Sequence, residues 1–161
     1  MKEMLWRAKL DSDYNERYWR AVTQKYAQYD LYLKVFLAFS ASGTVAGWGF
    51  WSDVPLVWKG LSSLSALASV ASPLLAFNKK VEAAATHAGK WTDLRVRYAA
   101  LWETYRSNGK ADVLIREQTR LEKIFVELHS KEPMLKIPED KKIAKQSQAE
   151  VLAANKLRKE Q

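Results

Sequence analysis

Six cations fall within a short stretch of the chain's second half: Arg95, Arg97, Arg106, Lys110, Arg116 and Arg120. Arginine presents a planar fork of donors that matches phosphate oxygens two at a time, so this cluster is where an anionic ligand would be held. The competing reading is a solvated helical face with local ion pairs, as between Glu127 and Lys131. A second set of residues suggests solute passage: Ser62, Ser65, Ser69 and Ser72 recur at helical spacing, and Gly43 and Gly47 form a Gly-x-x-x-Gly pair. Such small faces either pack helices together or line a pore made by several copies, because two helices alone cannot enclose a water path.

Covalent and metal chemistry have little to work with. The absence of cysteine removes disulfides, thiolate ligands and cysteine nucleophiles together, and fits a reducing compartment. The two histidines, His87 and His129, cannot build a histidine-based zinc site without carboxylate help, and they read as structural or helix-terminal. None of the six glycines falls in a phosphate-loop or dinucleotide spacing. No enzyme, catalytic residue, small-molecule substrate, cofactor or metal is expected.

The elements that must carry these residues are visible in the charge pattern. The mean hydropathy of −0.34 and the 27% of charged residues describe neither half of the chain well. No charge lies between Lys34 and Asp53, and none between Lys59 and Lys79. Residues 35–51 and 60–77 therefore read as two transmembrane helices, near the ~20 residues that cross a bilayer core. Trp48, Trp51 and Trp58 gather about the connection like an interfacial belt, and Ser52 to Pro55 supply the turn. Lys34, Lys59, Lys79 and Lys80 sit at the membrane surface, where their stems reach the interface. Basic residues crowd both outer flanks and not the loop, which puts both termini in the cytoplasm. The first thirty residues are charged throughout, which is unlike a secretory signal.

The expected fold is all-α, a two-helix transmembrane hairpin continuous with a cytoplasmic bundle of long helices. Residues 1–30 form an N-terminal helix in which Tyr14, Tyr18, Val22, Tyr26 and Tyr29 share a face, capped at Asp11-Ser12-Asp13. Residues 31–78 form the hairpin. Residues 79–132 form a helical hairpin, its first helix marked by Val81, Ala84, Ala88, Trp91, Leu94, Tyr98, Leu101 and Tyr105. Gly109 suits the stop before a second helix, on which Leu114, Leu121, Phe125 and Leu128 share a face. Residues 133–161 form a polar helix or tail with sparse apolar positions at Ile143, Val151 and Leu157. From Lys79 to Gln161 there are eighteen basic residues against twelve acidic.

This layout resembles the SLATT domains, two-helix membrane effectors of bacterial nucleotide-based immunity. The likeness lies in the aromatic helix around Tyr14-Asn-Glu-Arg-Tyr-Trp-Arg20, the two spans, Asn78-Lys-Lys80, and the helices over 81–105 and 111–130. It implies an anti-phage effector in the bacterial inner membrane. Such a protein assembles as a homo-oligomer, a tetramer for example, and breaches the bilayer when an associated nucleotidyltransferase makes a nucleotide or oligonucleotide signal. The residues leave two further readings open. One is a membrane scaffold that recruits a partner through its cytoplasmic helices, and the other is a soluble basic bundle that binds nucleic acid.

Overall fold

A computed structural model of the chain describes residues 2–50, 55–107, 110–133 and 141–157, and all of its regular structure is α-helix. The helices are α1 (Lys2–Phe50), α2 (Pro55–Leu75), α3 (Phe77–Arg106), α4 (Ala111–Ser130) and α5 (Lys141–Leu157). They form two compact units. The first joins Met1–Thr23 to Glu82–Gln161, and the second is Gln24–Val81.

The first unit is built on the stripe that the sequence marks on α3. Ala84, His87, Ala88, Trp91, Leu94, Tyr98 and Leu101 are all buried, at steps of three and four that keep them on one face. Trp91 is the hub. Its ring meets Phe125 and His129 of α4 edge-on, with centroids 5.4 and 5.1 Å apart. Leu114, Leu121 and Leu128, seven residues apart, supply the rest of the α4 face. On α1, Leu5, Trp19 and Val22 are buried, and Trp19 stands edge-on to His87 at 4.7 Å. Polar α5 joins through Ser147 and Val151, both buried.

Helix α1 departs from expectation at its start. Asp11-Ser12-Asp13 is no cap, because the helix already runs from Lys2 and Ser12 lies inside it. Ser12 is fully buried, and its hydroxyl donates back to the Ala8 carbonyl at 2.8 Å, a bond that satisfies serine inside a helix. Capping chemistry and helix-interior chemistry use the same residue types, and the sequence does not separate them.

The second unit holds the expected hairpin helices. No helix among the described residues is long and apolar enough to cross a membrane, so the two spans expected over 35–51 and 60–77 are not supported. In α1, Ser40, Ser42, Gly43, Thr44, Gly47 and Gly49 dilute the apolar run that follows Lys34. Helix α2 carries Lys59 and its serines, and it ends at Leu75 instead of running on to Phe77. Ala76 makes that break with φ of 43°, the left-handed region that L-residues seldom adopt. The turn Ser52-Asp53-Val54 and Gly109 lie outside the described residues.

The second unit buries Tyr26 and half-buries Leu33, Phe36 and Leu37, but it leaves many other large apolar side chains exposed. Phe39, Leu67 and Val70 are 72%, 68% and 69% exposed, while Ser40 is 4% exposed. Leu31, Tyr32, Val35 and Leu64 join the exposed set, whereas Ser65, Ala68 and Ser72 are half-buried. At the charged end of the unit, Asp30 pairs with Lys34 at 2.5 Å. The Asn78 amide, turned to suit its neighbours, donates to both Asp30 oxygens at 3.0 and 3.2 Å.

Replacing Trp91 with alanine removes the largest fully buried side chain, and truncations of this kind cost about 3–5 kcal/mol. Val96→Ala, at an exposed position on the same helix, is expected to stay within about 0.5 kcal/mol of the parent. Denaturant unfolding of the two variants checks the contrast.

Candidate anionic-ligand pocket

A cavity lined by four charged side chains lies in the first unit, among α1, α3 and α5. Its volume is about 170 Å³, and Lys9, Asp13 and Arg17 of α1, Arg95 and Ala99 of α3, and Asn155 of α5 line it. Positions 9, 13 and 17 are one helical turn apart, so α1 presents cation, anion and cation on one face.

Each cation is held. Arg17 donates from Nε to Asp13 Oδ1 at 3.0 Å and from Nη1 to Glu150 Oε2 at 3.3 Å. Burial works against the Arg17 charge, but Asp13 and Glu150 outweigh it by hydrogen bond and by charge, and its pKa stands above the ordinary value. Arg95 donates from Nε to Glu16, which is 3% exposed and also pairs with Arg20 at 2.8 Å. Lys9 is buried, and its Nζ lies 4.9 Å from the Trp6 ring centroid and 5.9 Å from that of Trp102. The lining thus carries three cations and one carboxylate, Asp13, while Glu16 and Glu150 offset part of the surplus from outside the lining, Glu16 being shared with Arg20.

Of the six cations picked out by the sequence, only Arg95 reaches this cavity. Arg97 pairs with Asp93 at 2.9 Å, Arg106 with Glu103 at 3.5 Å and Arg120 with Glu117 at 4.0 Å, each within its own helix. Arg116 donates to the Asp112 carbonyl at 3.2 Å, and exposed Lys110 occupies the cap position of α4. These contacts are those of the alternative reading, a solvated face with local pairs worth a few tenths of a kcal/mol each. Lys9 and Arg17 count, in the sequence, only toward membrane orientation. The signal that marks them is the alternation Lys9, Asp13, Arg17 beside Glu16 and Arg20.

The small-residue positions divide as well. Ser65 and Ser72 are half-buried, while Ser62 and Ser69 are exposed. Gly43 and Gly47 lie in α1, but their surroundings fall outside the described residues. Lys34, Lys59 and Lys79 are exposed, and Lys80 places its Nζ 5.4 Å from the Phe77 ring centroid.

A second, wider cavity of about 420 Å³ opens between α3 and α4, beside His87, Lys90, Asp93, Glu127 and Lys131. Lys131 donates to Glu127 at 2.6 Å and holds that carboxyl below its usual range, so this cavity is internally balanced. Among the described residues no cluster of His, Asp or Glu could hold a metal ion.

His87 closes the buried side of this region. Burial, helped by the charges of Lys90 and His129, brings its pKa down to about 4, and the neutral ring accepts the Trp91 indole N–H at Nε2, 3.0 Å away. An imidazole that is harder to protonate folded than unfolded supports the fold fully above pH 6.5, and that support drains away as pH falls toward 4. By pH 5 the expected loss is about 2 kcal/mol. His87→Gln keeps an acceptor for Trp91 without the titration, so its unfolding midpoint should fall less between pH 7 and pH 5 than that of the parent. Parallel acid profiles for the two would overturn the assignment.

No protein-family profile matches the chain, and no curated protein or solved structure matches it either.

Proposed function

We propose that the chain is a membrane effector whose Gln24–Val81 unit enters the bilayer as an assembly of several copies. The observation that carries this reading is the placement of side chains in that unit. Leu31, Val35, Phe39, Leu64, Leu67 and Val70 stand exposed there, while Ser40 is buried. In water each exposed leucine, valine or phenylalanine forgoes roughly 1–2 kcal/mol of burial, so the arrangement suits hydrocarbon outside and close helix contacts inside.

The serines weigh against insertion less than a hydropathy average suggests. Ser63 donates to the Lys59 carbonyl at 2.8 Å and Ser69 to the Ser65 carbonyl at 2.9 Å, so both hydroxyls are satisfied within the helix. What remains polar is then shielded by neighbouring copies, either as packing or as the lining of a conducting path.

The remainder of the reading follows the resemblance to the SLATT domains. The effector acts at the bacterial inner membrane with both termini cytoplasmic, and a nucleotide or oligonucleotide made by a partner enzyme in response to phage controls it. The pocket of the first unit, bordered by Lys9, Arg17 and Arg95, supports control by an anion.

Fractionation tests the membrane step. The full chain should sediment with membranes and be released by detergent, not by salt. The double change Leu67→Glu and Val70→Glu should move it to the supernatant, since each buried carboxylate costs about 2.5–3.5 kcal/mol at a helix centre. Cells expressing the parent with its operon neighbours should lose membrane potential during infection, and those expressing the double variant should not. A parent chain that stays in the supernatant without detergent refutes the reading and leaves the soluble nucleic-acid-binding bundle in its place.

A further inference from the structure

The carboxylates that hold the pocket's arginines are not equally fixed. Asp13 and Glu16 belong to α1, the same helix as Arg17, and cannot leave unless that helix unwinds. Glu150 comes from α5, a helix whose sequence is polar and whose buried residues are few. Its 3.3 Å contact with Arg17 is long for a charge-assisted bond, which prefers 2.7–2.9 Å, and its side chain is 45% exposed. Gln146, one turn earlier, donates to the other Glu150 oxygen at 3.0 Å and aims the carboxylate. Asn155, one turn further on, bonds its own helix at the Val151 carbonyl and lines the cavity. Helix α5 thus delivers one removable carboxylate to one arginine.

We propose that this pocket binds the phosphoryl group of a phosphate ester or diphosphate, and that Glu150 is its built-in competitor, vacating Arg17 when the anion arrives. A phosphoryl group brings more charge and more acceptor oxygens than a carboxylate, and Arg17, Arg95 and Lys9 all border the space it would enter. The cavity's 170 Å³ equals the share of about five or six waters, enough for one or two phosphoryl groups. Trp6 and Trp102, whose rings lie 5.1 Å apart and 46° to one another beside Lys9, offer an aromatic surface next to it for whatever the phosphate carries. Releasing Glu150 loosens α5, so ligand binding and α5 docking oppose each other. This inference rests on the anion-controlled reading above, but it is independent of whether the other unit enters a membrane.

Calorimetry on the purified full chain, in detergent if needed, tests it with pyrophosphate and ADP as probes at low salt. Glu150→Gln removes the competing charge at an exposed position and should bind pyrophosphate about tenfold more tightly than the parent, or ~1.4 kcal/mol. Arg17→Gln should weaken binding by at least that factor in either background, and circular dichroism checks that each variant keeps its helices. Hydrogen exchange of the α5 amides should quicken when pyrophosphate is added. Tighter binding of ADP than of pyrophosphate assigns part of the affinity to a nucleoside, and equal binding assigns it to the phosphoryl group alone; both support the site. No binding of either probe, or a Glu150→Gln variant no tighter than the parent, overturns it. Neither result touches the fractionation test.

Discussion

A carboxylate buried in the middle of a long helix constrains most of what surrounds it. Glu16 is 3% exposed, so it must be met by cations, and Arg95 and Arg20 meet it. Losing Arg95 would leave this buried carboxylate with Arg20 alone, whose side chain is largely exposed. Arg95 is the partner that matters for the fold, because it comes from α3. Its bond to Glu16 sets the register of α3 against the first part of α1. The stripe from Ala84 to Leu101 then falls against Leu5, Trp19 and Val22, with Trp19 edge-on to His87. The same pairing places Arg95 beside Arg17 and Lys9, so one ion pair serves both the packing and the pocket.

The two units differ in how they treat apolar surface. In the first unit a continuous aromatic and aliphatic stripe is inside, as water demands of a helical core. The second buries Tyr26 and Ser40 but leaves Phe39, Leu67 and Val70 about seven-tenths exposed. Mean hydropathy cannot report this difference, since it averages over faces and counts every hydroxyl as if it faced water. Ser69 shows why the average misleads: its hydroxyl is exposed as an atom but already bonded to the Ser65 carbonyl one turn back.

How much of this was legible in the sequence depended on whether the pattern was local. The α3 and α4 stripes were, because period and residue size alone place Trp91, Leu94, Leu121 and Leu128 inside. The start of α1 was not, since Ser12 flanked by two aspartates looks the same whether it caps a helix or bonds back within one. The break at Ala76 was also hidden: nothing about an alanine announces a positive φ. The candidate pocket was the least legible. Counting arginines finds Arg97, Arg106 and Arg120, each of which pairs with an acid three or four residues away. The pocket joins Lys9 and Arg17 to Arg95 across some eighty positions of sequence, a proximity that only tertiary packing creates.

That the pocket's two arginines are paired bears on what it could do. An open cluster of three cations would bind any anion, phosphate lipid or nucleic acid at hand, with an affinity governed mainly by salt. Pairing Arg17 and Arg95 with carboxylates, and packing Lys9 against indole rings, reduces this general attraction. It also makes binding conditional, since a ligand shifts an equilibrium only by its differential affinity for the two states. Here the states differ by whether α5 lends Glu150 to Arg17. The basic surplus of the whole chain, +8 at neutral pH, then has no need to act at the pocket. Exposed Lys59 and Lys79 lie on either side of the apolar stretch of α2 and do not line the pocket. On the proposed reading, general attraction to an anionic surface and conditional recognition fall to different residues of the same basic chain.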